Sequence, residues 1–342
     1  MRKRVTLKDI AKIAGVHVST VSRALDSTAR YSLTPEVVNR INSIASELGY
    51  EPNRVAYGLR TNRSMSIGIM IPDITDILFP PLIRGIESVL EPLGYTGILV
   101  NTDEDPERER HQIGVLRQHG VDGLISGAAH RDDPALLRVF EQGLPLVTMT
   151  RRLDNPKVPY VINDEEDGFR KIIAHLYSLG HREISFVSGP LNLSTGHMRL
   201  QAVKRNCASQ GMELKSEDIV VANRFDESEG RRSTLDLLNS GSNATAIVCA
   251  NDRLAIGAYA ALREFGLSIP GDISVTGFND NPLLEMIPPG LTTIRIHQFE
   301  AGATCARVLL QLLQALPPEK QGTVLPVKLI CRESTGIRKL RD

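Results

Sequence analysis

Val18, Ser19, Ser22 and Arg23 form the outward face of the second short apolar-periodic stretch in TLKDIAKIAGVHVSTVSRAL, residues 6–25. Hydroxyls and a guanidinium on one helix face are hydrogen-bond donors of the kind that meet phosphate oxygens and base edges in a major groove. Farther on, Leu59 stands beside Arg60. An apolar tip next to a cation suits a wedge into a minor groove, where the cation meets the groove's negative potential. Catalytic chemistry leaves no comparable mark. IGIMIPD lacks the GxGxxG fingerprint, and GxxxxGK[ST], GxSxG and HExxH are absent. The eight histidines show no spacing for a paired nucleophile or a metal. No enzyme activity, cofactor or metal is expected.

The elements that must carry these residues are short. Thr6 with Asp9 three residues on starts a helix, whose stripe is Leu7, Ile10, Ala11 and Ala14 and whose end is Gly15. The second helix spans about 18–25, with Val21, Ala24 and Leu25 inward. Thr34-Pro35-Glu36 opens a third, striped by Val37, Val38, Ile41, Ile44, Ala45 and Leu48. Two helices across a tight turn, backed by a third, match a helix-turn-helix, and equally any small helical bundle. Asn53 can cap a helix running to Arg60, but eight residues with Gly58 inside are too few to be stable alone. That segment orders against a partner or is a plain linker.

Charge separates this head from the rest. Residues 1–63 carry eleven Lys and Arg against five Asp and Glu, while the whole chain is neutral, so the body is acidic. A basic head on an acidic body points to a polyanion at the head alone. The 342-residue chain, 42% hydrophobic, is long enough for two or more domains. No run approaches the ~20 apolar residues of a membrane span, and Met1-Arg2-Lys3-Arg4 precedes an amphipathic stretch rather than a signal peptide's apolar block. A cytoplasmic protein without membrane contact is expected. Cys207, Cys249, Cys305 and Cys331 are far apart and read as reduced thiols.

From Ser66 the period changes. IGIMI, TGILV, DGLIS, PLVTM and VPYVI alternate with helical segments such as 79–93 and 106–119. The alternation restarts with EISFVS, DIVVA, TAIVCA and DISVTGF. Short apolar runs between helices mean parallel α/β structure, here two doubly wound lobes. LTTIRI and the helix 299–316 return the chain to the first lobe, and VLPVKLICRES crosses again. The expected organisation is a helix-turn-helix domain at 1–50, a hinge at 51–63 and a two-lobed effector-binding and dimerisation domain at 64–342. Its N-lobe takes about 64–163 and 295–325, and its C-lobe about 164–294 and 326–338.

TLKDIAKIAGVHVSTVSRAL, the YEPN entry and the AYGL hinge, with LGHREI, STGHMRLQAV, CANDRLAIGA, ISVTGFND and LTTI, resemble the lactose-repressor (LacI) family of bacterial transcription regulators along essentially the whole chain. The resemblance implies a fold like periplasmic binding proteins and base-reading roles for Val18, Ser19 and Arg23. It puts phosphate contacts at Thr20 and Ser22, with Thr6, Asn53 and Arg60 in the same DNA-facing set and Leu59 as the intercalating hinge leucine. It implies effector contacts at Asp76, Phe79, Arg151, Thr195, Arg199, Phe225, Asn251, Phe278, Asn279 and Asp280, all near carboxyl ends of strands, where open parallel sheets bind ligands. Duller roles stand beside these: Phe79, Phe225 and Phe278 as core, Arg199 in a structural ion pair and Asn251 as a helix cap.

The sequence departs from the family at His17, where many members have a capping serine; histidine is a poorer cap. Asn279 and Thr150 stand where aspartates are common. With those two carboxylates gone and Arg151 and Arg199 retained, the expected effector is carbohydrate-related, a sugar acid or sugar phosphate before a neutral sugar. The expected mechanism is a homodimeric repressor on double-stranded operator DNA, without a leucine-heptad tail for tetramers, whose lobes close on the effector and change the hinge spacing. The alternatives are a solute-binding protein, which lacks a use for the head, and a nicotinamide-linked enzyme, which lacks its fingerprint.

Overall fold

A computed structural model describes residues 5–25, 33–50, 63–212, 214–316 and 321–338. The chain divides into two compact units with the boundary after Ser64. In the first unit, α1 (Leu7–Ala14), α2 (Val18–Leu25) and α3 (Pro35–Glu47) enclose a core of Ile10, Ala11, Ala14, Val21, Ala24, Ile41 and Ala45. Asp9 closes the first turn of α1 by accepting the Thr6 N–H at 2.8 Å and its hydroxyl at 2.7 Å. Gly15 ends α1 at φ 64°, a left-handed conformation that a side chain would strain, and so turns the chain towards α2.

The second unit alternates strand and helix. It begins β1 (Ser66–Ile71), α4 (Phe79–Leu90), β2 (Thr96–Asn101), α5 (Pro106–Gln118), β3 (Gly123–Ser126), α6 (Pro134–Glu141), β4 (Leu146–Met149) and β5 (Tyr160–Asn163). It continues α7 (Glu165–Ser178), β6 (Ile184–Ser188), α8 (Ser194–Ser209), β7 (Ile219–Val221), α9 (Glu227–Asn239), β8 (Ala246–Cys249), α10 (Asp252–Glu264) and β9 (Ser274–Thr276). The last elements are β10 (Thr293–Arg295), α11 (Gln298–Leu313), β11 (Gly322–Leu325) and β12 (Lys328–Ile330). The helix read as 79–93 stops at Leu90 and tightens to a 3₁₀ turn, because Pro92 offers no N–H to continue it.

Two parallel sheets result, ordered β11-β5-β4-β3-β1-β2 and β7-β6-β8-β9, and β10 pairs antiparallel with β12 as the chain passes between them. The inner strands β1, β3, β4, β6 and β8 are buried on both faces and correspondingly apolar, as helix-covered parallel sheets require. Each lobe also holds a helix pair packed backbone to backbone. A Cβ on Gly302 of α11 would lie 1.9 Å from the Leu82 carbonyl of α4, and one on Gly257 of α10 would lie 2.2 Å from the Glu227 carbonyl of α9. Cys207, Cys249 and Cys305 are buried and Cys331 is exposed, all as free thiols.

Candidate functional site

Ser19 and Arg23 are exposed on α2, and Thr20 and Ser22 are half-buried. Val18, read as outward, packs partly against the helical core, which leaves only part of its side chain for a contact. The start of α2 also corrects the expectation of a weak cap. His17 Nδ1 accepts the Ser19 N–H at 3.3 Å and shares a 2.8 Å hydrogen bond with the Ser19 hydroxyl, so an imidazole fills the role of the missing serine. Arg23 lies back along its helix, its Nε 3.4 Å from the Ser19 carbonyl, a weak exposed contact that costs little to release. Thr6 is exposed at the start of α1. Asn53, Leu59 and Arg60 lie outside the described residues.

In the second unit the carboxyl ends of the strands face a cleft with a cavity of about 100 Å³, space for a small solute. Eight of the ten effector residues read from the sequence line it: Asp76, Phe79, Arg151, Thr195, Arg199, Phe225, Asn251 and Asn279. Asp76 and Phe79 come from the loop after β1 and the first turn of α4, Arg151 from the end of β4, Thr195 and Arg199 from α8. Asn251 does both tasks weighed for it. Its Oδ1 accepts the Leu254 N–H at 2.9 Å as cap of α10, which leaves the amide NH₂ to offer a ligand. Phe225 lies against Gly189, where an added Cβ would come within 2.1 Å of the ring. The Thr195 hydroxyl is buried and has no hydrogen-bond partner, an orphan on the cleft wall that a ligand can satisfy.

Two of the ten belong elsewhere. Phe278 is fully buried, stacked on Phe169 at 5.2 Å and under the Arg199 guanidinium at 4.2 Å. Asp280 bonds Arg295 at 2.6 Å and Arg332 at 2.8 Å, an ion pair that ties the chain crossings together. Family resemblance together with strand-end position selected both, but past β9 the backbone takes left-handed conformations at Asn279 (φ 128°) and Asp280 (φ 55°), and neither Phe278 nor Asp280 lines the cleft.

The electrostatics weigh against the expected anion-seeking cleft. Arg151 grips Glu104 with two hydrogen bonds of 3.1 and 2.6 Å. Burial opposes ionisation of Glu104, but the charge and hydrogen bonds of Arg151, helped by His130 and Arg224, outweigh it and hold the carboxyl below its usual range. Arg199, 4% exposed, bonds Glu165 at 2.7 and 3.1 Å and the Ala250 carbonyl at 2.7 Å, so the structural ion pair is its first task. Arg253 holds Glu227 at 2.8 Å and reaches across the cleft to Asp73 at 3.3 Å and Asp76 at 3.6 Å. Arg224, the remaining arginine of the lining, lies 3.6 Å from Asp226. Every cleft arginine has an acid beside it.

Asp73, Glu104, Asn163 and Arg253 were missed from the sequence. The strand-end rule finds Glu104, which closely follows β2 in NTDEDP, once it is applied to every strand of the sheet. Backbone strain marks the same rim: Thr150 at φ 62° and Asn279 at φ 128° hold left-handed conformations that side chains rarely adopt. Thr150 is β-branched, and such strain concentrates at ligand sites.

A helix-turn-helix head ahead of a two-lobed body with a solute-sized interlobe cleft defines a ligand-responsive DNA-binding regulator. Residues 6–53 match the bacterial regulatory proteins of the lacI family, and residues 173–335 match a periplasmic binding protein-like domain. The chain is 33% identical to the ribose operon repressor of Halalkalibacterium halodurans over 96% of its own length and 97% of that relative. The lac repressor dimer bound to operator and an anti-inducer superposes with a TM-score of 0.85 at 29% identity, over 98% of this chain and all of that one. A LacI family regulator from Enterococcus faecium with bound ribose superposes at 0.70 with 32% identity, over 80% of this chain and all of that one. The chain belongs to the LacI family of bacterial transcription regulators. No helix among the described residues is long and apolar enough to cross a membrane.

Proposed function

We propose that this regulator represses transcription in the cytoplasm as a homodimer on a pseudo-palindromic operator, and that a neutral monosaccharide closing its lobes weakens that grip. It performs no catalysis. In this reading Ser19 and Arg23 read base edges, Val18 adds an apolar contact, and Thr20, Ser22 and Thr6 meet phosphates. Asn53, Leu59 and Arg60 act in the hinge, with Leu59 as the minor-groove wedge. The observation that carries the effector class is the pairing of each cleft arginine with an acid. A carboxylate or phosphate entering such a cleft meets balanced charge, while a sugar's hydroxyls meet donors and acceptors such as Thr195, Asn251 and Asp76 beside the Phe225 ring. The ribose named for two of the relatives supports a pentose-sized ligand.

Calorimetry on the full chain with ribose, ribonic acid and ribose 5-phosphate tests this. The neutral sugar is expected to bind at least tenfold more tightly than either anion, and the reverse order would return the cleft to an anion site. Mobility shifts on operator fragments test the coupling: deletion of residues 1–62 abolishes DNA binding and spares the ligand, and ribose releases the intact protein from DNA. Arg23→Ala should cost about 1–3 kcal/mol and relax base preference at one operator position.

A further inference from the structure

A second cavity, of about 770 Å³, adjoins the effector cleft, and Glu104 lines both. Into it face Glu109 of α5 and, from the segment between β3 and α6, His130 and Asp133. One ligand atom from each lies within 4.8 Å of the others, and His130 Nδ1 is 4.0 Å from Glu109 Oε2. Glu109 is only 3% exposed, and its Oε1 has no hydrogen-bond partner. A buried carboxylate with an oxygen unsatisfied, set against a second carboxylate, is costly unless a proton or a cation sits between them.

We propose that Glu109, His130 and Asp133 bind a first-row divalent cation of the Zn²⁺ type, with the remaining coordination positions open to the cavity. Two carboxylates and an imidazole are a donor set for zinc-like ions, whereas Mg²⁺ and Ca²⁺ favour oxygen alone. Zinc bonds of about 2.0–2.2 Å require the three groups to draw in slightly, which side-chain rotation supplies. Asp133 is already fixed for the task. Its Oδ1 accepts the Leu136 N–H at 3.0 Å and its Oδ2 the His130 N–H at 3.2 Å, and each oxygen keeps a further lone pair. His130 lies more than twenty residues from Glu109, so no metal spacing is visible in the sequence.

The test is calorimetric titration of untagged, chelator-dialysed full-length protein with ZnCl₂, repeated with CoCl₂ to read visible absorption bands of the bound ion. One site per chain is expected, weakened at least tenfold in Glu109→Gln and in His130→Ala. Glu109→Gln imitates the protonated carboxyl and so keeps the fold, which circular dichroism verifies. Cys331 Sγ lies 3.7 Å from His175 Nδ1 and can hold zinc by itself, so Cys331→Ser is the control. Binding that survives Cys331→Ser supports the site. No Zn²⁺ or Co²⁺ binding by the wild type, retention in both Glu109→Gln and His130→Ala, or loss in Cys331→Ser alone would overturn it.

Discussion

The two cavities that share Glu104 bury charge in opposite ways. On the effector side, carboxylates and guanidiniums meet in pairs: Glu104 with Arg151, Glu165 with Arg199, Glu227 with Arg253. On the other side Glu109 faces Asp133, with the His130 imidazole 4.0 Å from Glu109. A low-dielectric site tolerates charge when each ion has a counter-ion and hydrogen bonds, and it otherwise takes up a proton or a cation. On the two proposed readings, the first cavity takes a neutral guest and the second a positive one.

The largest effect should come from breaking a pair. Arg199→Ala leaves Glu165 buried without a counter-charge and the Ala250 carbonyl without its donor, so unfolding in urea should show a loss of about 3–5 kcal/mol. A loss under 1 kcal/mol would mean that the pair is not what neutralises this wall.

Asp252 is the intermediate case, a carboxylate held by neutral donors. It accepts the Thr293 hydroxyl at 2.6 Å and the Asn281 N–H at 2.8 Å, yet burial dominates and pushes it up from 3.8 to about 6. Between those values the folded chain keeps a proton that the unfolded chain releases, so stability falls as pH rises through the window. The contribution is about 3 kcal/mol by linkage. Asp252→Asn should flatten that slope between about pH 4 and 6 in urea titrations, and an unchanged slope would place the titration on another group.

Glu104→Gln acts on both cavities at once. It strips Arg151 of its counter-charge, and the cleft should then prefer ribonic acid over ribose by about tenfold relative to wild type, or ~1.4 kcal/mol. Calorimetry with the two ligands reads it directly, and an unaltered preference would detach ligand selectivity from this pair.

The fold was far more legible than this charge arrangement. Short apolar runs such as IGIMI and TAIVCA between helical segments read as buried parallel strands, and β1 covers the first while β8 lies within the second. Strand ends then pointed to Arg151, Thr195 and Asn251 because topology places every such end on one rim. What the sequence hides is pairing across distance. Nothing in a linear reading joins Arg151 to Glu104, 47 residues away, or Arg199 to Glu165, 34 away, and without those acids the arginines read as an anion site. Phe278 and Asp280 failed for a different reason: just past β9 the backbone turns through left-handed conformations at Asn279 and Asp280, so which way a side chain faces there does not follow from its place after a strand. His17 shows the same limit in the head, since its poor general record as a cap says nothing of the Nδ1 contact it makes with Ser19.

The smallest change separates ligand binding from stability most cleanly. The Thr195 hydroxyl is buried without a partner, so in the ligand-free protein it contributes only the cost of its desolvation. Thr195→Val removes that cost at nearly constant volume, and urea stability should be unchanged or higher by up to about 1 kcal/mol. A bound sugar hydroxyl would satisfy the same atom, so the variant should bind ribose about fivefold more weakly, the worth of one neutral hydrogen bond at ~1 kcal/mol. Opposite signs in the two measurements are what an orphan reserved for a ligand predicts. A variant that loses stability and keeps its affinity would show instead that Thr195 serves the packing of α8.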